Sequence, residues 1–185
     1  MQWLKKILLT VVLILFLAVV GLWAVGQRSD RGHFNISILI DRPITDVYNA
    51  LINPDMTKKW VSGLVEIKRL TPGDTHVGTK LVLVEHVDRL LVTMEEEITD
   101  LQPPHLVKYT TIGQGEPSTR FTEYGQYQLK EVDGMTQFTL DSQIEYHGFL
   151  YRLIEPLLTY TVRDKFEGDQ ITLKRLLEDK QANSK

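Results

Sequence analysis

The sequence lacks cysteine and lacks a strong excess of either charge. With no Cys among its 185 residues, disulfide bonds, thiolate nucleophiles, cysteine-ligated metals and lipid-modified cysteines are all excluded. Lys and Arg number 21 against 24 Asp and Glu, which gives a net charge of -3, and no basic cluster occurs beyond residue 32. Because binding to phosphates requires a concentrated basic surface, we predict no nucleic-acid partner.

Sequence signatures of catalysis and of cofactor binding are also missing. The histidines are scattered, without the spacing of metal ligands. There is no nucleophile elbow, no phosphate-binding loop and no dinucleotide-binding glycine motif. We therefore predict no metal and no cofactor, and we favour a binding function over an enzymatic one.

One long apolar run is present, at the N-terminus. Residues 7–25 carry no charge, and Thr10 is their one polar side chain. A helix of about 19 residues spans roughly 28 Å, which is close to the hydrocarbon thickness of a bilayer. Trp3 and Trp23 lie near the two ends, where indole rings favour the headgroup region. The run predicts a single transmembrane signal-anchor over residues 1–26.

The apolar run has two other interpretations besides a membrane anchor, and only one feature of the sequence favours an orientation. Ala24-Val25-Gly26 fits a cleavage site, so a cleaved signal peptide is one alternative, and a buried core helix is the other. Basic residues are equally numerous on both sides of the run, and the free amino terminus alone favours an extracytoplasmic domain. We predict a single-pass membrane protein with a short linker at residues 27–32.

The remaining sequence predicts strands followed by one long helix. Apolar residues alternate from Phe34 to Ile40, which indicates a strand. A helix at residues 45–52 and a second short helix, capped by Asp55 and ending near Trp60, follow. The predicted strands are residues 35–41, 61–70, 78–86, 89–99, 106–112, 121–130 and 135–146.

The C-terminal segment changes its apolar period from two residues to three or four. This change predicts an amphipathic helix over residues 148–177. We expect an α+β domain at residues 33–180, with a curved antiparallel sheet of about seven strands wrapped around this helix, and a polar tail at residues 181–185. Space between a strongly curved sheet and a helix is where a ligand would bind.

Several motifs add a resemblance to this pattern. They are ILIDRPITDVYNAL at residues 38–51, Trp60 before VEI at 65–67, VGT at 77–79, LQPP at 101–104 and LIEPLL at 153–158. Together they resemble the START-like (SRPBCC) helix-grip superfamily, and within it the polyketide cyclase/dehydrase and lipid-transport family. The resemblance implies an apolar ligand cavity. It assigns no catalytic residue, since the family shares no invariant catalytic motif.

Strand alternation indicates which polar groups could face that cavity. Glu96 falls among Val92, Met94 and Ile98, Glu123 shares a face with Phe121 and Tyr127, and His86 shares one with Val82 and Val84; together these define the candidate inward faces. A carboxyl group there would have a raised pKa and could serve as an acid/base or as an anchor for a ligand hydroxyl. Alternatively, a bulge shifts the register, or these groups lie in water at the cavity mouth.

The predicted function is binding or transport of a hydrophobic or lipid-like small molecule by a membrane-tethered monomer. One alternative is a cyclase or hydratase that uses a cavity carboxylate, and another is a protein-interaction module with a collapsed cavity. The predicted ligand-binding residues are Trp60, Met94, Glu96, Phe121, Glu123, Phe138, Leu140, Tyr146, Leu153 and Leu157.

Overall fold

The computed structural model describes residues 2–25, 32–87, 90–115 and 119–182. The elements, in chain order, are α1 (Gln2–Val25), β1 (His33–Ile40), α2 (Ile44–Ile52), α3 (Pro54–Trp60), β2 (Leu64–Arg69), β3 (Lys80–Val87), β4 (Leu90–Gln102), β5 (Leu106–Gly115), β6 (Thr119–Val132), β7 (Met135–His147) and α4 (Phe149–Ala182).

The strands form one antiparallel sheet with α4 against its concave face. The sheet has seven strands in the order β1-β7-β6-β5-β4-β3-β2. Strands β2 to β7 follow each other as a meander, and β1 pairs with β7 at the far edge. The predicted α+β fold, a sheet of about seven strands with a long C-terminal helix, is confirmed.

The core lies between the sheet and the second half of α4. On β7 every second residue is buried from Thr136 to Tyr146, as the alternation of its sequence predicts. Leu173 and Leu177 of α4 pack into the same cluster, together with residues of α2 and β1. The amide of Gln170 and the ammonium group of Lys174 donate hydrogen bonds to carbonyl groups of β1, so α4 also covers this edge strand.

The two short helices differ from their predicted boundaries. The side chain of Asn53 accepts a hydrogen bond of 2.9 Å from the backbone N–H of Asp55, and Pro54 occupies the first turn of α3. The predicted cap, Asp55, is therefore wrong by two positions, because proline suits the first turn and the residue before it caps. The next strand begins at Leu64 rather than at residue 61, since Gly63 turns the chain with a φ of +75°.

The N-terminal run forms α1, and its described side chains are exposed. Among the helices that the structure describes, none is long and apolar enough to cross a membrane. This finding corrects the predicted signal-anchor and the predicted single-pass membrane location with an extracytoplasmic domain.

Two further predicted segments lie largely or partly outside the described residues. The predicted linker at residues 27–32 is described only at Gly32, and the predicted polar tail only at residues 181–182, which belong to α4. The boundaries proposed for the domains therefore stay predictions.

Candidate functional site

A cavity of about 710 Å³ lies between the concave face of the sheet, α3 and the first half of α4. Its wall is mainly apolar and is formed largely by alternate side chains of β2 to β7 and by one face of α4. The rest of α4 packs tightly on β1 and β7, so the cavity occupies the other end of the sheet. The volume falls within the ~300–1,000 Å³ of small-molecule sites.

Glu123 is buried in this wall and accepts hydrogen bonds from two side chains. Its Oε1 atom accepts hydrogen bonds from the Tyr109 hydroxyl at 3.1 Å and from Ser142 Oγ at 2.8 Å. Burial raises the pKa of Glu123, and the two hydrogen bonds partly oppose this rise because they stabilise the charged form. Glu123 is therefore a desolvated carboxyl group held in a fixed orientation.

Gly125 makes this arrangement sterically feasible. It lies directly opposite Tyr109 in the register of β5 and β6. A Cβ atom at position 125 would collide with the Tyr109 ring, so only glycine lets the ring cross this strand and reach Glu123.

Glu96 lies in the same cross-strand row. On the paired strands β4, β5 and β6, Glu96 is opposite Thr111, and Thr111 is opposite Glu123. The side chain of Glu96 is half-buried because it borders the cavity. Burial, and then the charges of Glu123 and Glu85, raise the pKa of Glu96 to about 8, against the opposing hydrogen bond from Thr111. At neutral pH Glu96 is consequently a protonated acid.

A third carboxyl group is paired with a lysine across the cavity. Lys165 Nζ on α4 lies 3.2 Å from Glu85 Oε2 on β3 and 2.8 Å from Asp169 Oδ2. Asp169 Oδ1 accepts a hydrogen bond of 2.8 Å from the backbone N–H of Ser62, so this cluster joins α4, β3 and the turn after α3. Burial lowers the pKa of Lys165, but the two carboxylates outweigh it and the net direction is upward, so the ammonium group stays charged.

Burial raises the pKa of Glu85 as well, with the charge of Lys165 opposing the rise. Burial is also the largest cause that raises the pKa of Tyr109 and of Tyr127 well above the ordinary tyrosine value. Both hydroxyl groups therefore remain protonated hydrogen-bond donors at neutral pH. Within the described residues, no group of three or more His, Asp or Glu side chains is placed to hold a metal ion.

The structure brings part of the predicted set to the cavity wall. The predicted residues that line it are Trp60, Met94, Glu96, Phe121, Glu123 and Tyr146. Phe138 and Leu140 are instead 1% exposed in the close-packed core beside β1, away from the cavity. For the six residues that line the wall, the ligand-binding role stays a prediction.

The predicted face of α4 is incorrect. Leu157 is 65% exposed and Leu153 is half-buried, and neither lines the cavity. The helix turns Tyr151, Ile154 and Leu158 to the cavity instead. Apolar residues occur on more than one side of this half of α4, so their spacing alone does not select the face that packs against the sheet.

The predicted inward face of β3 is also incorrect. Leu81, Leu83 and Glu85 are buried, whereas His86 is exposed, although it borders the cavity. The strand reads KLVLVEHV, in which both faces are apolar, so alternation does not distinguish them. The predicted site residues therefore do not include Glu85, Lys165 or Asp169. The signal that could have indicated them is the Lys165 to Asp169 spacing of four residues within an otherwise apolar helix face.

The sequence of this domain matches a known family. The model of the polyketide cyclase/dehydrase and lipid transport family matches residues 31–178. The chain belongs to this family. Membership supports a role in binding hydrophobic ligands or in cyclase-type chemistry, and it agrees with the cavity described above. No match was found among curated proteins.

Solved structures share the helix-grip fold at low sequence identity. A conserved protein from Geobacillus kaustophilus is 18% identical with a TM-score of 0.69, over 80% of this chain and 95% of that chain. A protein from Thermus thermophilus is 14% identical with a TM-score of 0.63, over 80% and 97%. One from Chromobacterium violaceum is 16% identical with a TM-score of 0.60, again over 80% and 97%. At these identities the likeness shows the fold alone.

Proposed function

We propose that this domain binds one hydrophobic small molecule inside the cavity between the sheet and α4. The observation that carries the proposal is the cavity itself: about 710 Å³, walled mainly by apolar side chains and containing a few oriented polar groups. Apolar walls favour transfer of an apolar ligand from water, and a few polar groups fix its orientation. An interaction module with a collapsed cavity would not contain this space.

Filling the cavity should abolish binding. Leu83 lines the cavity from β3, and Leu83→Trp places a larger ring in it. Val65 on β2 is exposed, so Val65→Trp adds the same ring outside. The uncharged dye N-phenyl-1-naphthylamine can be titrated into each protein by calorimetry, after circular dichroism has verified the fold.

We expect the wild type and Val65→Trp to bind one equivalent of dye, and Leu83→Trp to bind at least tenfold more weakly. Equal affinity in all three proteins would show that the dye binds elsewhere and would refute binding in the cavity.

Glu96 favours a second candidate, a cyclase or hydratase that transfers a proton to the bound molecule. With a pKa of about 8, this carboxyl group is protonated at neutral pH and can act as a general acid. Glu96→Gln preserves size and hydrogen bonding but cannot transfer a proton. In an enzyme, Glu96→Gln should stop conversion of the bound compound while leaving its Kd nearly unchanged. Mass spectrometry of ligand recovered from both proteins distinguishes the candidates, because a binding protein returns the compound unaltered in each case.

A further inference from the structure

The charged side chains that line the cavity are unevenly distributed in sign. Glu85, Glu96 and Glu123 lie in the wall, with Asp164 at an exposed position. Among the lining residues that the structure describes, Lys165 is the only lysine or arginine. A ligand with a negative head group would therefore meet several carboxyl groups and, among the described lining residues, one cation, Lys165.

Lys165 is not free to neutralise such a ligand. Its ammonium group is already shared between Glu85 at 3.2 Å and Asp169 at 2.8 Å, and all three side chains are largely buried. To bind a carboxylate, the lysine would have to leave one of these partners as a buried unpaired charge. Such an exchange is strongly unfavourable, because a buried charge without a partner is not stabilised by water.

Glu96 supplies a polar group at the cavity wall that can bind an uncharged oxygen on a ligand. Its carboxyl group lies in the cross-strand row with Thr111 and Glu123, and in the protonated form it both donates and accepts a hydrogen bond. The titratable groups that interact with it are Glu85 on β3, Tyr109 on β5, and Glu123 and Tyr127 on β6. Glu85 is in turn paired with Lys165 on α4, which also contacts Asp169. With Lys165 paired, this environment favours a neutral Glu96 and a neutral ligand head group.

We propose that the cavity selects a hydrophobic ligand with an uncharged oxygen-bearing head group, a carbonyl or a hydroxyl, and discriminates against the same apolar chain ending in a carboxylate. This inference rests on the proposed function, since it names the class of ligand that the cavity takes.

The test uses four compounds with the same chain length and different head groups. 2-Dodecanone, 1-dodecanol, dodecanoate and dodecylammonium, each below its aggregation limit, compete with N-phenyl-1-naphthylamine for the full-length protein at pH 7. We expect the ketone and the alcohol to bind at least tenfold more tightly than dodecanoate and than dodecylammonium. Lowering the pH should close the gap to dodecanoate, because the fatty acid then becomes neutral.

Two substitutions at position 96 separate the contribution of Glu96 from that of the apolar wall. The ketone should lose affinity in the wild type above about pH 8, where Glu96 ionises, and Glu96→Gln should abolish this pH dependence. Glu96→Leu should weaken ketone binding by about three- to tenfold, the loss expected for one hydrogen bond. The matched control is Glu95→Gln, on the exposed face of β4, which should behave as the wild type.

The outcomes distinguish this inference from the proposed function. Dodecanoate or dodecylammonium binding as tightly as the alcohol at pH 7 would overturn head-group selection and leave binding in the cavity intact. Unchanged ketone affinity in Glu96→Leu would refute recognition by Glu96. If the dye itself did not bind, the proposed function would fail and this inference with it.

Discussion

Lys165 on α4 and Glu85 on β3 form a largely buried ion pair, with Nζ 3.2 Å from Oε2. Both residues line the cavity, and the pair links the helix directly to the sheet. Asp169, one turn further along α4, contacts the same ammonium group and is itself fixed by the backbone N–H of Ser62. Charged groups as well as apolar contacts therefore fix α4 against the sheet beside the cavity.

Removal of the ammonium group should be strongly destabilising. Lys165→Met preserves much of the aliphatic length but leaves Glu85 and Asp169 without their cation, and breaking a buried pair costs about 3–5 kcal/mol. Urea denaturation at pH 7 measures the change in the free energy of unfolding. The control is Arg163→Met, which breaks the exposed pair with Glu167 and should change stability by under about 1 kcal/mol.

The loss of unfolding free energy in Lys165→Met should also depend on pH. Lys165 lowers the pKa of Glu85, so its removal raises that pKa further above the ordinary value of 4.5. The folded variant then binds more protons than the unfolded chain, and its stability falls as the pH rises from about 4.5 towards neutrality. A deficit as large at pH 4.5 as at pH 7 would show that the lysine acts through packing rather than charge.

The raised pKa of Glu96 should make folding less favourable at high pH. The unfolded chain releases this proton near 4.5 and the folded domain near 8, so stability is lost as the pH rises between these values, by up to about 1.4 kcal/mol per pH unit. Glu96→Gln should flatten the profile of unfolding free energy from pH 5 to 8, whereas Glu95→Gln should retain the slope. Parallel profiles for all three proteins would place Glu96 in water.

The close approach of Gly125 to Tyr109 gives a sharp test of the site geometry. Gly125→Ala should cost about 1–3 kcal/mol, because the added methyl group displaces the Tyr109 ring and weakens its hydrogen bond to Glu123. Gly168 lies in α4 with open space around it, so Gly168→Ala should stabilise the protein by about 0.5–1 kcal/mol. Thermal unfolding of both variants should show shifts of opposite sign, and shifts of the same sign would contradict the structure.

The two halves of α4 should respond differently to truncation of a leucine. Leu173 is fully buried, and Leu173→Ala should cost about 2–5 kcal/mol. Leu157 is 65% exposed, and Leu157→Ala should change stability by under about 0.5 kcal/mol. Chemical denaturation of the pair checks the orientation of the helix, and an equal cost at both positions would require a rotated α4.

Local patterns were sufficient to predict the fold and part of the cavity wall. Strands with one apolar face, such as β6 and β7, show a clear alternation of apolar and polar residues. For this reason the inward orientation of Glu123 could be predicted from the sequence. The change of period after Gly148 likewise indicated α4.

The remaining site residues depend on packing that no local pattern contains. Both faces of β3 are apolar, so Glu85 could not be assigned to the inner face. The first half of α4 is apolar on several sides, so the inward residues are decided only by contact with β3 and α3. Lys165 is a polar residue in a buried position because Glu85, far earlier in the chain, meets it there.

Methionine methyl NMR gives the most direct measurement of ligand binding in the cavity. Met94 lines the cavity, whereas Met135 lies at the β6–β7 hairpin, outside the wall. The protein labelled with ¹³C at its methionine methyl groups can be titrated with N-phenyl-1-naphthylamine and then with 1-dodecanol. We predict that the Met94 resonance shifts in proportion to bound ligand and shows intermolecular nuclear Overhauser effects, while the Met135 resonance stays unchanged. Saturable binding that leaves Met94 unchanged, or that shifts Met135 instead, would contradict binding in the cavity.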